Sequence, residues 1–211
     1  MDTKIVILGW GSIAKFLCSF PNVIGYIKLD NVNIIYDSKT DKKLRLVDID
    51  VEGVIGIGKN VYKEEITSVW LENNHSLGRL IHPSAYIGKN TQIGLGSVVM
   101  PLAFIDDSSI IGKSCIVGPQ SALRAAKIGN YCHLSIQSRV LPNATLQDYV
   151  TLETNTTVLE GRIIGKHSVI GADVLVTKDI PSNHIYRKNT DSYTLEKLTR
   201  DFPLTQFEKE G

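Results

Sequence analysis

Cysteine is scarce in this chain of 211 residues: Cys18, Cys115 and Cys132 are the only ones. An odd count without framework spacing excludes a secreted disulfide scaffold. There is no CxxC pair and no His/Cys cluster with ligand spacing, so no metal site is expected. Small buried thiols in a reducing compartment are the expectation instead. Long apolar runs are also missing: none reaches the 18 residues or so that a membrane span needs. The opening MDTKIVILGWGSIAKF is broken by Gly9 and Gly11, and no small-residue cleavage site follows it. A cytoplasmic location is expected, with no membrane partner. Charge bias is absent as well. The net charge of +1 gives no footprint for nucleic acid or a membrane surface.

Two kinds of order are present. The first lies in residues 1–78. KIVILG reads as a buried parallel strand ending in glycine, and Gly9 to Ala14 match G-x-G-x-x-A. SIAKFLCSF follows as a helix with Ser12 near its cap. NVNIIYD reads as the second strand, ending at Asp37, and GVIGIG as a further one. NVYKEEITSVWLENN is a helix candidate. A strand, a glycine turn and a helix make a ready anion site, because backbone N–H groups and positive potential converge there. Asp37 stands where a ribose hydroxyl is accepted. The same glycines also serve tight strand–helix packing, so both roles stay open. The segment is too short for a full dinucleotide fold, and a single nucleotide or nucleotide-linked molecule fits better.

The second kind of order is a beat of six. From Ile81 it lands on Ile87, Ile93, Val99, Ile105, Ile111, Val117 and Leu123. Restarted at Ile128, it gives Leu134, Val140, Leu146, Leu152, Val158, Ile164, Ile170 and Val176. Four residues after each stands a small or β-branched residue, from Ala85 to Val174, with Lys127 and Arg162 as exceptions. Neither a helix of period 3.6 nor a plain strand of period 2 produces this. It requires a solenoid: branched residues fill a prism, small residues fit its corners, and three faces make one coil. Cys115 and Cys132 then stack inside on adjacent coils. One residue is missing from the beat between Leu123 and Ile128.

The beat, together with KIVILGWGSIA, VIGIGKN, LIHPSAYIG, the His of YCHLS and IIGKHSVIGADVLVTKDIPSN, resembles the hexapeptide-repeat acyltransferases. More narrowly, the chain is similar to bacterial sugar acetyltransferases related to the sialic-acid and bacillosamine enzymes. The matching stretches span about residues 3 to 185. The resemblance implies an α/β, Rossmann-like nucleotide-sugar-binding domain over 1–78. A left-handed parallel β-helix follows over 79–190. A C-terminal extension over 191–211 is expected as a short helix or tail. It implies acetyl transfer from acetyl-CoA to an amino or hydroxyl group of a nucleotide-linked sugar. It also implies a homotrimer, with the acetyl-CoA groove between subunits.

The resemblance also assigns residues. Gly9, Gly11, Ser12, Asp37, Gly58, Lys59 and Asn60 would hold the nucleotide-sugar. Gly161, Gly171 and Ala172 would leave room for the pantetheine arm, and Lys178 would meet a CoA phosphate. In the relatives a His paired with an acidic residue occupies the face that here reads LRAAKIG, Leu123 to Gly129. This chain has neither there. Arg124 remains as a candidate ligand for an anionic group of the acceptor. His133 is the remaining candidate base and acetyl-CoA contact, expected to point toward a neighbouring subunit with an imidazole suited to neutral pH. Pro142, Glu153 and Asn155 stand where relatives often have glycine. Two readings follow: an acetyltransferase, or a catalytically altered binding or regulatory module on the same scaffold.

Overall fold

The structure, a computed structural model, describes residues 4–9, 11–28, 31–40, 42–45, 51–190 and 192–198. The apolar run Ile5–Leu8 forms strand β1, wholly buried. The glycine turn then leads into helix α1, Ser12–Leu17, with Gly11 rather than Ser12 as its cap. The next strand is β2, Val23–Lys28, followed by β3, Asn31–Asp37, β4, Lys43–Arg45, and β5, Glu52–Ile55. Helix α2, Asn60–Glu72, leads to β6, Ser76–Leu77. The sheet order is β4-β3-β2-β1-β5-β6. β1 is parallel to β2 and β5, and β5 to β6, while β2–β3 and β3–β4 pair antiparallel. The helices supply the crossovers that parallel neighbours need.

One expectation is corrected here. Asn31–Asp37 is not the second parallel strand. VIGYIK takes that place, and Asn31–Asp37 returns beside it in the opposite direction.

From Leu80 the chain becomes a solenoid of two-residue strands stacked into three parallel sheets. Val98 pairs with Ile116, Ile116 with His133 and His133 with Thr151. Every branched residue of the beat from Val99 to Val176 is buried. Each such burial is worth roughly 1.5–3 kcal/mol, so the stack supplies most of this half's stability. The missing residue shortens one corner. Three residues, 124–126, separate strands Ala122–Leu123 and Lys127–Ile128, where four separate Ile116–Val117 from Ala122–Leu123. Lys127 is therefore no intruder in a corner. Ala126 fills that position, fully buried, and the small-residue series resumes at Cys132. Stacking survives the change, because the Arg124 and Lys127 amides still donate to Val140 and Ala144.

The C-terminal segment differs from expectation over its described part. Tyr193–Lys197 is a strand, antiparallel to His184–Lys188, and it extends one solenoid sheet. Residues 199–211 lie outside the described residues. Among the described residues, no helix is long and apolar enough to cross a membrane.

Candidate functional site

The α/β sheet packs on the outside of one solenoid sheet. Leu80, Val98 and Ile116 form a column on that outer surface and share an apolar cluster with Ile66 and Trp70 of α2. Going up the column, the next outward residue is His133, then Thr151. The surface thus turns polar where the apolar contact ends, and the candidate site begins there.

Two glycine turns converge on it. Gly9 and Gly56 follow the adjacent strands β1 and β5, and the Gly56 amide donates to Leu8 at 2.9 Å. Gly9 has φ 119°, and a Cβ there would lie 2.1 Å from Ile57 Cγ1. A Cβ on Gly58 would lie 3.1 Å from His133 Cε1, so glycine permits the imidazole to close on this turn. His133 Nδ1 lies 3.0 Å from Gly58 O. Nδ1 must donate to that carbonyl, which leaves Nε2 as the lone-pair nitrogen. Gly9, Gly11, Ser12, Gly58, Lys59, Asn60 and His133 are thereby gathered at one edge of the sheet.

Helix α2 fixes this arrangement by running along a solenoid corner. Asn60 Nδ2 donates to Tyr149 O and Thr151 Oγ1, each at 2.9 Å. Lys63 Nζ donates to Cys132 O at 2.8 Å and Tyr131 O at 3.3 Å. The hydroxyls of Thr67 and Ser114 are 3.1 Å apart. One helical turn thus meets one coil, because a pitch of about 5.4 Å nearly matches a strand spacing of about 4.8 Å. At the same corner Tyr131, Tyr149 and His167 stack, with ring centroids 5.0 and 4.5 Å apart. The Tyr149 hydroxyl donates to Glu64, and burial pushes its pKa up.

His133 departs from expectation in two ways. It points outward from the prism, but toward Gly58 of its own chain. Its pKa is pushed down to about 3, first by burial and then by the Lys63 charge, against the Gly58 hydrogen bond. The ring is neutral at pH 7 and a weak base. It is suited to orienting an N–H group rather than stripping a hydroxyl.

Asp37 lies away from these turns. It pairs with Gly25, which pairs with Val6, whereas the glycine turn follows the Leu8–Ile27 level. Because β3 runs backwards, its end lies toward the opposite edge of the sheet. The carboxylate is occupied by the Thr40 hydroxyl and amide, both at 2.7 Å, and the Lys39 amide at 3.1 Å. These bonds, the Thr40 hydroxyl foremost, lower its pKa.

Arg124 is not brought to His133 within the chain. Its corner joins the other two sheets, across the prism, and there exposed Arg124 pairs with half-buried Asp106 at 3.7 Å. Gly161 occupies the same corner further along, with nothing within 4 Å of a Cβ. Gly171 has a packing reason of its own, since a Cβ would meet Arg187 Cβ at 2.9 Å. Ala172 is exposed, and Lys178 lies 5.4 Å from the Tyr186 ring centre. Glu153, half-buried near the site, has its pKa raised by burial. Among the described residues no group of three or more His, Cys, Asp or Glu is placed to hold a metal.

Sequence reasoning missed Lys63. Its one signal was a charge on the helix face that also carries Ile66 and Trp70, all three fully buried.

No family model matches the chain, and no curated protein matches it. Solved structures do. PerB from Caulobacter crescentus, determined with CoA and GDP-perosamine, is 21% identical, with TM-score 0.76 over 92% of this chain and 98% of its own. The acetyltransferase domain of PglB from Neisseria gonorrhoeae is 18% identical, with TM-score 0.77 over 92% and 100%. WeeI from Acinetobacter baumannii is 16% identical, with TM-score 0.57 over 92% and 100%. The chain shares the fold of these three proteins along nearly its whole described length.

Proposed function

We propose that this protein transfers an acetyl group from acetyl-CoA to an amino or hydroxyl group of a nucleotide-linked sugar, in bacterial surface-glycan biosynthesis. The observation that carries the reading is the 3.0 Å contact of His133 with Gly58, where the glycine turns of the sheet meet the solenoid. A nucleotide held at those turns places its sugar beside the imidazole. PerB, of the same fold, was determined with both CoA and a nucleotide sugar.

An amine acceptor suits the site better than a hydroxyl. Its nitrogen lone pair attacks the thioester carbonyl carbon to give a tetrahedral intermediate with a positively charged nitrogen. The C–S bond then breaks, and the proton lost from that nitrogen passes to the departing CoA sulfur, which leaves as the thiol. Neutral His133 accepts a hydrogen bond from the amine through Nε2 and so aims the lone pair. A hydroxyl would need a stronger base than a ring with its pKa near 3.

In this reading residues 1–78 are the Rossmann-like nucleotide-sugar domain and 79–190 a left-handed acyltransferase domain. The protein is a cytoplasmic homotrimer. If Arg124 serves the same site, a second copy must bring its corner to His133, as the trimer would. Gly161, Ala172 and Lys178 line the acetyl-CoA path, Gly171 being set by packing.

The shortened corner, without His or carboxylate, favours a second reading: a nucleotide-sugar-binding module without turnover. Thiol release from acetyl-CoA, followed with nucleotide-linked amino sugars and their hydroxyl counterparts, separates the two. The first reading expects release with an amino sugar and a loss of about 100-fold in kcat/KM in His133→Ala. Tight nucleotide-sugar binding with no release from any acceptor establishes the second. Unchanged turnover in His133→Ala removes His133 from the chemistry.

A further inference from the structure

Lys63 is fully buried on α2, and among the described residues it makes no ion pair. Its surroundings are the thiols of Cys115 and Cys132, the His133 ring and two peptide carbonyls. Burying a cation without a counter-charge is costly, and methionine would fill the same space at less cost. Nor does Cys132 O need the ammonium, since it already accepts from the Ile116 amide at 3.0 Å. Tyr131 O accepts from Lys63 and from no other group among the described residues, but one carbonyl needs only a neutral donor, so packing and hydrogen-bond satisfaction do not account for a cation here.

The two carbonyls it grips belong to the peptide groups immediately preceding His133. On the following coil the His133 amide donates to Val150 at 2.9 Å. The imidazole itself is held by Gly58, just ahead of the helix that carries Lys63. Both ends of the clamp thus come from one short stretch, residues 58 to 63. Movement of α2 relative to the solenoid would take Lys63 from the Tyr131 and Cys132 carbonyls and Gly58 from the ring together, leaving the His133 backbone with its solenoid bonds alone.

We propose that Lys63 is a positioning residue for His133. Its ammonium, bound to the Tyr131 and Cys132 carbonyls, fixes the backbone from which the imidazole reaches Gly58, and so keeps Nε2 turned toward the acceptor. The activity consequence rests on the acetyl-transfer reading above; the geometric consequence does not.

The test uses the full chain with 15N-labelled histidine, the His133 signal being assigned with His133→Gln. In the wild type His133 shows one tautomer, protonated at Nδ1, and resists protonation to well below pH 6. In Lys63→Met the tautomers mix and the titration midpoint rises toward that of an ordinary histidine. Lys63→Arg keeps the wild-type pattern. If Lys63→Met does not fold, Lys63→Gln, which retains a donor but no charge, takes its place. In the transfer assay, Lys63→Met lowers kcat by about 10- to 100-fold with KM for acetyl-CoA within about twofold, and Lys63→Arg restores it. A folded Met or Gln variant with the His133 tautomer unchanged overturns the proposal even if its titration midpoint rises, because loss of the Lys63 charge alone raises that midpoint. So does an Arg variant as impaired as the Met variant. If the wild-type protein transfers no acetyl group, the acetyltransferase reading fails and the histidine spectra alone decide the role of Lys63.

Discussion

His133 converts a local contact into a dependence on acidity. An unfolded histidine takes up a proton near pH 6.5, whereas in the folded chain the pKa is about 3. The unfolded state therefore binds more protons between these values. The contribution to stability is fully present above pH 6.5 and declines as the pH falls toward 3, by at most about 1.4 kcal/mol per pH unit. Partial solvent contact on the Nε2 side reduces that slope. Urea midpoints at pH 7.5, 6.0 and 5.0 are expected to fall more steeply for wild type than for His133→Gln. Parallel curves would refute the burial assigned to the ring. Gly58→Ala probes the same contact sterically. Its Cβ would come within 3.1 Å of both His133 Cε1 and Ile13 Cδ1. The expected cost is about 1–3 kcal/mol in a denaturation curve, with loss of the Nδ1-protonated tautomer. A stable variant with an unmoved imidazole would show that the turn yields freely.

Elements explain what could be read in advance and what could not. The solenoid was legible because each inward residue is Ile, Val or Leu at a spacing that no other element produces. Even its flaw could be placed within Leu123–Ile128, although the identity of the corner filler, Ala126, needed coordinates. The direction of Asn31–Asp37 escapes a reading of the sequence because Gly25 lies mid-strand in VIGYIK and the turn formers Asp30 and Asn31 mark a strand boundary as readily as a reversal. Helix α2 was legible as a helix but not as a splint. Asn60, Lys63 and Thr67 look like a solvated stripe until a coil spacing is set beside the helical pitch. The short corner gives an element-scale prediction. One alanine inserted between Arg124 and Ala125 restores a four-residue corner like its neighbours. Because the stacking bonds on both sides already persist, the melting temperature should move by no more than about 4 °C, equivalent to about 1 kcal/mol in a chain of this size. An alanine inserted between Thr151 and Leu152 instead shifts a side chain out of the interior. It should cost about 2–5 kcal/mol, as for loss of a buried leucine. Equal losses in the two insertions would mean that the five-residue step is itself required by the fold.

The whole molecule depends on one outer surface of the solenoid, where the α/β sheet is seated. Val98 lies at the middle of that contact, between Leu80 and Ile116, and is fully buried. Its neighbour Val99 faces the prism interior, so a change at Val98 strikes the seam and spares the solenoid's own core. In Val98→Asp a carboxyl group is placed there without a hydrogen-bonding partner, at a cost of several kcal/mol. Trp70, fully buried in the sheet's cluster, reports on the seated domain once Trp10 is replaced by phenylalanine. In that background fluorescence and far-UV circular dichroism should melt together, because the two halves share the seam. In Val98→Asp the fluorescence transition should come about 10 °C earlier, while the β signal of the solenoid holds. The His133 signal should lose its Gly58-bound character at the earlier transition, since Gly58 leaves with the sheet. Coincident transitions in the variant would show that the solenoid does not stand without its partner.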